Sequence, residues 1–282
     1  MRLQVSEQLV IWLVRLVTYS MVAVVGYILF DIVWKGAGVL SWTFLTTSPS
    51  VDGRGGIFPA IIGTFYLVTG TIAVALPLGM ASAIYLTEYA KQGRLTGLIR
   101  LAIVTLAGVP SIVFGLFGLG LFVLFLNFGT SILAGSLTLA CMILPTIIVS
   151  SEESLRAVPL ALREASLALG ATKWETIRKS VLPYAIPGML TGSILGVGRA
   201  AGETAPILFT VAAFYLPNLP RSIFDQVLAL PYHLYVLATQ YPNPEQVRPT
   251  QYGTALVLLL LVLGLNVGAI VLRTHFRKRY RW

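Results

Sequence analysis

The chain alternates long apolar stretches with short polar connections, and the length of those stretches decides the fold class. A hydrocarbon core about 30 Å thick is crossed by about 20 helical residues. Six stretches reach that length, at residues 12–34, 59–87, 99–126, 131–150, 185–216 and 252–274. Because a spanning segment must satisfy its own backbone hydrogen bonds, each stretch is expected to be a helix. The pattern predicts an all-α membrane protein with six transmembrane helices.

Composition strengthens this prediction. Of the 282 residues, 56% are hydrophobic and only 11% are charged, whereas about 25% are charged in soluble domains. The first apolar stretch is longer than the apolar region of a secretory signal, and no convincing small-residue cleavage site follows it. We therefore expect it to remain as a span.

The net charge of +9 invites a nucleic-acid partner, but the cations form no basic stripe laced with aromatic residues. They fall instead at the ends of alternate spans. Apart from Arg199 within a span, one side of the membrane holds only Lys35, Arg54, Arg221 and Arg248. Because cytoplasmic loops are enriched in Lys and Arg, the other side is predicted to be cytoplasmic. It contains both termini and the loop at residues 151–183.

Within that loop, residues 164–183 read EASLALGATKWETIRKSVLP, a polar, helix-prone segment between apolar stretches. Strong helix formers predict a helix over 160–169, Gly170 suits a left-handed C-cap, and Thr172 with Glu175 forms a capping-box pattern that opens a second helix. The first helix carries a small apolar face formed by Leu160, Ala161, Ala165 and Ala168. Such a face fits a groove on a partner protein, and the alternative is an amphipathic helix lying on the bilayer surface. The charges of Glu152, Glu153, Arg156 and Arg163 are interpreted as a solvated helix surface.

Two charged residues, Arg199 and Glu203, lie inside the fifth predicted span. An ionised residue at the centre of a span costs about 2.5–3.5 kcal/mol, so such residues face a bundle interior or a polar cavity. Their i,i+4 spacing allows the two side chains to pair. On the predicted helix they share a stripe with three glycines that permit close helix approach, Gly188, Gly192 and Gly196. The alternative is an ion pair that only fastens this helix to its neighbours.

The loop resembles the cytoplasmic EAA loop of the permease subunits of bacterial ABC importers. The matching residues are Glu164, Ala165, Gly170 six positions after the glutamate, Leu182 and Pro183. Two positions depart from that pattern: Ser166 stands where alanine is usual, and Ser180 where an aliphatic residue is usual. The resemblance implies that the loop docks on a separate ATPase.

A second resemblance is narrower. The string GRAAGETAP at 198–206 is similar to a signature of the A-type permeases of phosphate ABC importers, and segments 55–90 and 108–122 also look like that family. The likeness covers roughly residues 55–275. It implies the type I ABC importer permease architecture, with Arg199, Glu203 and Thr204 along the substrate pathway.

The family resemblance also implies the assembly. This chain would form half of a translocation pathway for phosphate together with a second homologous permease. Two copies of a cytoplasmic P-loop ATPase and an extracytoplasmic phosphate-binding protein would complete the complex. The chain has no GxxxxGK[ST] motif, so ATP and Mg²⁺ are expected on the ATPase and no cofactor on this chain, which is not expected to be an enzyme. His233, His275 and the single Cys141 suggest no metal site.

These inferences divide the chain into three parts. Residues 1–58 are the first span and an outward loop, 59–275 are the permease core with the coupling loop at 151–183, and 276–282 are a basic tail. Two alternatives for function stay open. One is an importer of another oxyanion, such as sulfate, molybdate or phosphonate; the other is an ion-coupled secondary transporter that uses the Arg–Glu pair as a relay.

Overall fold

The computed structural model describes residues 2–279 except residues 51 and 54, with side chains described from residue 7 to residue 275. This part of the chain is helical apart from turns, connecting segments and two isolated bridges. Its helices are α1 (Arg2–Ala37), α2 (Trp42–Thr46), α3 (Phe58–Ile84), α4 (Arg94–Ala107), α5 (Ser111–Gly118), α6 (Ile132–Arg156), α7 (Leu160–Ala168), α8 (Lys173–Thr176), α9 (Leu182–Gly202), α10 (Ala205–Thr210), α11 (Leu230–Thr239) and α12 (Pro244–Arg279). π-Helical turns extend α3 (Tyr85–Tyr89), extend α5 (Leu119–Phe125) and join α8 to α9 (Ile177–Val181).

Five helical segments of the described chain are long and apolar enough to cross a membrane. They are Glu7–Ala37, Phe58–Tyr89, Ile132–Arg156, Lys173–Gly202 and Pro244–His275. The third predicted span, 99–126, is broken, because α4 and α5 meet at an angle of 105°. The break falls at Pro110, which lacks a backbone N–H and whose ring would clash with the carbonyl of Leu106 in a continuous helix.

The fifth predicted span, 185–216, differs from the structure at both ends. Its helix starts much earlier, since α8 runs through the π-helical turn into α9 as one segment of 30 residues. It ends earlier too: α9 stops at Gly202, and Glu203 has extended backbone angles, φ −76° and ψ 134°. The prediction of helix from 203 to 216 was therefore wrong except in the short α10. Pro206 explains the break, because its ring would clash with the carbonyl of Gly202.

The centre of the bundle is α6, which packs against α3, α4, α5 and α9. Its fully buried side chains include Leu139, Met142, Ile143 and Ile147. In contrast, α1 packs along α12 near its own C-terminal end, where Gly36 lies against the backbone of Tyr252. The permease core therefore forms around α6, and most of α1 lies outside it.

Candidate functional site

The helix-turn-helix predicted for the loop at residues 151–183 is present. After α7, Gly170 has a φ of +83°, the left-handed region that glycine enters without strain. The hydroxyl of Thr172 accepts a hydrogen bond from the backbone N–H of Glu175 at 3.3 Å, and the Glu175 carboxylate accepts one from the backbone N–H of Thr172 at 3.0 Å. This reciprocal capping box starts α8 and confirms the local prediction.

The loop presents an exposed apolar face. No residue of α7 is buried, and Glu164, Ala165 and Gly170 are all exposed. Leu169 is 89% exposed and Trp174 is 54% exposed. Exposed apolar side chains that lie together in this way are typical of a surface that another protein or the bilayer covers.

The other two residues of the loop motif lie elsewhere. Leu182 and Pro183 are half-buried at the start of α9, where Leu182 packs against a buried cluster that includes Val181 and Met189. The motif therefore combines a surface part and a part that anchors the loop to the bundle. Ser166, one of the departures from the motif, places its hydroxyl 3.0 Å from the hydroxyl of Thr176 and so ties α7 to α8.

The loop is also bound to the end of α3, which sequence reasoning missed. Arg163 of α7 donates a hydrogen bond to the Glu88 carboxylate at 2.8 Å, and the two side chains are only 16% and 10% exposed. Lys173 of α8 places its ammonium 5.0 Å from the centre of the Tyr89 ring. Arg163 was interpreted as part of a solvated surface; that interpretation was wrong, because its partner comes from a helix 75 residues earlier.

Glu152 likewise is not a solvated residue. It is buried between two arginines, with its carboxylate 3.3 Å from Arg100 of α4 and 3.2 Å from Arg156 of its own helix. Arg100 also donates to the backbone carbonyl of Leu86 at 2.7 Å. These ends of α3, α4 and α6 are thus joined by charged groups around the buried Glu152.

At the other end of α9, Arg199 and Glu203 form the predicted pair. The Arg199 Nε atom lies 3.1 Å from the Glu203 carboxylate, and the side chains are 43% and 17% exposed. Arg199 lies in the last turn of α9, where the helix dipole favours a cation. Glu203 and Thr204 lie in the break between α9 and α10, and Thr204 is half-buried.

The three glycines of the predicted stripe lie against α6. A Cβ atom at Gly188 would meet Ser154 of α6, and one at Gly192 would overlap Ser150. A Cβ atom at Gly196 would make ordinary contact with Ile143 at 3.5 Å. The glycines therefore face α6. Arg199, seven positions after Gly192, lies only about 20° from it around the helix and is exposed at the edge of this face.

The described residues contain no group of three His, Cys, Asp or Glu side chains that is able to hold a metal ion. His233 in α11 is buried, and neither of its ring nitrogens has a hydrogen-bond partner within the described chain. Burial lowers the pKa of His233 to about 4, so the ring is neutral near pH 7.

A comparison with known families defines the class of protein. Residues 75–282 match the family described as the binding-protein-dependent transport system inner membrane component. The match covers more than half of the chain, and the chain belongs to this family. It is a permease subunit and not an enzyme, and permeases of this class work with an ATPase and a substrate-binding protein.

Individual relatives are similar over most of the chain. A probable ABC transporter permease protein of Bacillus subtilis, YqgI, is 36% identical, and the alignment covers 88% of each chain. The phosphate transport system permease protein PstA 1 of Mycobacterium tuberculosis is 39% identical over 80% of this chain and 72% of its own length. A probable phosphate transport system permease protein PstA of Methanocaldococcus jannaschii is 32% identical over 93% of this chain and 92% of its own length.

Among solved structures, a chain of the MetNI methionine ABC transporter in an inward-facing conformation matches with a TM-score of 0.58 and 17% identity. The match covers 78% of this chain and 94% of that one. At this identity the likeness concerns the fold, which has the architecture of a type I ABC importer permease.

Proposed function

We propose that this chain forms half of the translocation pathway of an ATP-driven importer for inorganic phosphate. The observation that carries the proposal is the Arg199–Glu203 pair, which lies at the end of α9 and is exposed in the single chain. Relatives named as phosphate permeases support the choice of anion, at 32% and 39% identity. A second homologous permease would cover the exposed pair and complete the pathway.

The route from ATP to this pair follows one helical segment. Lys173–Gly202 comprises 30 residues, so at 1.5 Å per residue it is about 45 Å long. Its first turn belongs to the exposed coupling loop and its last turn contains Arg199. A displacement of the loop by the ATPase therefore reaches the pair through a continuous helix.

The chemistry of the pair suits phosphate. A guanidinium group binds two oxygens of an oxyanion at once, and Glu203 accepts a hydrogen bond from a protonated phosphate oxygen. Sulfate has no such proton at neutral pH. When the pathway is empty the two side chains neutralise each other, and an arriving phosphate competes with Glu203 for the arginine.

Partners and orientation complete the proposal. Two copies of a cytoplasmic P-loop ATPase hold ATP and Mg²⁺ and dock on the face around Glu164, Ala165 and Gly170, while an extracytoplasmic binding protein delivers phosphate. The placement of Lys and Arg supports cytoplasmic termini in the inner membrane of the cell. This chain itself holds no cofactor.

The test is purification from detergent with identification of the bound chains, followed by phosphate uptake into proteoliposomes. We expect a P-loop ATPase and a second permease to co-purify, and uptake to stop with vanadate. A lone chain that transports phosphate without ATP would overturn the proposal. Uptake that collapses with the proton gradient and resists vanadate would instead favour an ion-coupled transporter, and competition by sulfate, molybdate or phosphonate would identify another oxyanion.

The coupling loop is tested by Glu164→Lys and Gly170→Leu. Glu164 is exposed, and Gly170 has open space around it but a left-handed backbone, so the first change alters the docking face and the second strains the turn. Both variants are expected in the membrane at normal amounts, with phosphate uptake uncoupled from ATP hydrolysis. Glu153→Lys, at an exposed position on α6, is the control. Normal uptake by both loop variants would refute docking through this face.

A further inference from the structure

We propose that the coupling loop moves two helices, not one: α9 through the chain itself, and α3 through a clasp formed by Glu88, Tyr89, Arg163 and Lys173. This inference rests on the proposed function, because it assigns a path for the movement that the ATPase imposes on the loop. Glu88 and Arg163 are its positioning residues. They touch neither ATP nor the transported anion.

The first contact of the clasp is a partly buried ion pair. Arg163 donates to Glu88 at 2.8 Å and also to the backbone carbonyls of Leu155 and Val158, at 2.8 and 2.7 Å. All three bonds are charge-assisted and therefore stronger than neutral hydrogen bonds. The guanidinium consequently has few ways to reorient, and α7 cannot shift relative to the end of α3 without breaking the pair.

The second contact comes from the other helix of the loop. The Lys173 ammonium lies 5.0 Å from the centre of the Tyr89 ring, within the range of a cation–π interaction. Glu88 and Tyr89 are consecutive residues of the π-helical turn that ends α3. Both helices of the loop therefore hold the same turn, one from each side of the Gly170 bend.

The clasp matters because α3 packs along the centre of the bundle. α3 extends from this turn across the whole bundle and packs against α6 and α9. Thr71, halfway along α3, is fully buried and contacts the Ser136 backbone carbonyl of α6 at 3.4 Å. The loop has no direct chain connection to α3, since it follows α6 and precedes α9. The clasp thus links the loop directly to the end of α3, in addition to the packing of α3 on α6 and α9, and it keeps α3 and α9 moving together.

A variant at Arg163 cannot separate coupling to α3 from a purely structural role of this residue. Arg163 binds two carbonyls near the end of α6, so its removal would disturb the loop fold whether or not α3 is driven. Glu88→Gln avoids this difficulty, because it retains the shape and an acceptor oxygen, removes the charge, and leaves both carbonyl bonds of Arg163 in place. Lys173 is exposed, so Lys173→Gln breaks the second contact with little risk to folding.

The experiment uses the complete complex with its ATPase in proteoliposomes and measures phosphate taken up per ATP hydrolysed. We expect Glu88→Gln and Lys173→Gln each to lower this ratio about threefold, and the double variant about tenfold, while the bound ATPase and its rate of hydrolysis stay normal. Lys173→Arg keeps a cation over the ring and should retain the wild-type ratio. Lys179→Gln is the matched control, since it breaks an exposed pair with Glu175 in the same loop.

A wild-type ratio in the double variant would overturn the clasp. If Glu88→Gln is lost from the membrane, the Lys173 variants decide: a normal ratio in Lys173→Gln, or an equal loss in Lys173→Arg, overturns it. Failure of the proposed function is recognised separately, because the wild-type complex would then lack an ATPase or take up phosphate despite vanadate. A coupled wild type with unaffected variants would refute only the clasp.

Discussion

Two Arg–Glu pairs lie near the two ends of the helical segment Lys173–Gly202, and they differ in sequence separation, in the exposure of the arginine and in the number of its partners. Arg163 and Glu88 come from helices 75 residues apart, are 16% and 10% exposed, and include two further backbone acceptors for the arginine. Arg199 and Glu203 are four residues apart and 43% and 17% exposed, with one hydrogen bond between them. We therefore interpret Arg163–Glu88 as a fixed pair and Arg199–Glu203 as an exchangeable pair.

The difference follows from burial. A buried charge that loses its partner is left uncompensated, at a cost of about 3–5 kcal/mol, whereas an exposed pair contributes about 0–1 kcal/mol. We therefore expect Arg163 to stay with Glu88 through a transport cycle. Arg199 can give up Glu203 for an oxyanion with little loss, because a guanidinium gains two charge-assisted bonds from phosphate.

The largest expected effect breaks the exchangeable pair. Arg199→Leu removes the guanidinium from the proposed pathway, and phosphate uptake should fall on the order of 100- to 1,000-fold, comparable to the loss of a placed donor in an active site. The chain should still fold and bind the ATPase, because Arg199 is exposed in it and lies at the end of α9 opposite the loop. Phosphate uptake into proteoliposomes measures transport, and the amount of co-purified ATPase measures assembly.

Arg248→Leu is the control for Arg199→Leu. Arg248 forms an equally local pair with Glu245 at 3.0 Å, at the start of α12 and far along the chain from the proposed pathway. Its loss should leave uptake unchanged. Equal losses of uptake in the two variants would contradict a specific role for Arg199.

The second prediction compares stability at the two ends. Glu88→Ala leaves the partly buried Arg163 without its carboxylate, so the free energy of unfolding should fall by about 2–3 kcal/mol, at or below the low end for a fully buried pair. Glu203→Ala leaves a half-exposed arginine, and the loss should stay below about 1 kcal/mol. Denaturant titration of the purified protein in detergent checks both values. Equal losses in the two variants would remove the distinction between a fixed and an exchangeable pair.

The sequence was sufficient for the features that depend on neighbouring residues. The apolar runs located the spans, and Gly170, Thr172 and Glu175 located the turn and the capping box, because caps and left-handed turns are set within a few residues. The i,i+4 spacing of Arg199 and Glu203 likewise sufficed to predict their pairing.

Features that depend on tertiary packing were not accessible in the same way. Nothing near Arg163 in the sequence indicates Glu88, and nothing near Glu152 indicates Arg100 of α4. The breaks at Pro110 and Glu203 also escaped, because proline does not always end a helix: Pro77 and Pro145 lie inside α3 and α6. Whether a proline bends or breaks a span depends on the helices packed around it.

The third prediction concerns the helix that joins the two ends. Gly192→Ala adds a Cβ that would overlap the Ser150 side chain, so α9 must move away from α6 and the free energy of unfolding should fall by about 2 kcal/mol. Gly196→Ala is the matched change, since its Cβ meets Ile143 at an ordinary 3.5 Å, and it should alter stability much less. Denaturant titration compares them. If Gly196→Ala destabilised the protein more, the close approach of α9 to α6 would lie elsewhere.

The smallest expected effect sharpens the role of the exchangeable pair. Glu203→Gln keeps the size of the side chain but adds an N–H donor, so sulfate oxygens gain a partner while protonated phosphate loses a charged acceptor. The ratio of phosphate uptake to sulfate uptake should therefore fall about fivefold, a difference of roughly 1 kcal/mol. Uptake of each labelled anion at equal external concentration measures this ratio.

Glu245→Gln serves as the control, because Glu245 pairs with Arg248 outside the proposed pathway. A ratio that stays at the wild-type value in Glu203→Gln would show that Glu203 does not read the phosphate proton. If Arg199→Leu also loses most of its phosphate uptake, Arg199 would be a cation that attracts any oxyanion. The selection of phosphate over sulfate would then belong to the binding protein. A lower phosphate-to-sulfate ratio in Glu203→Gln, with phosphate uptake otherwise retained, would instead show that the permease itself discriminates between the two anions at Glu203.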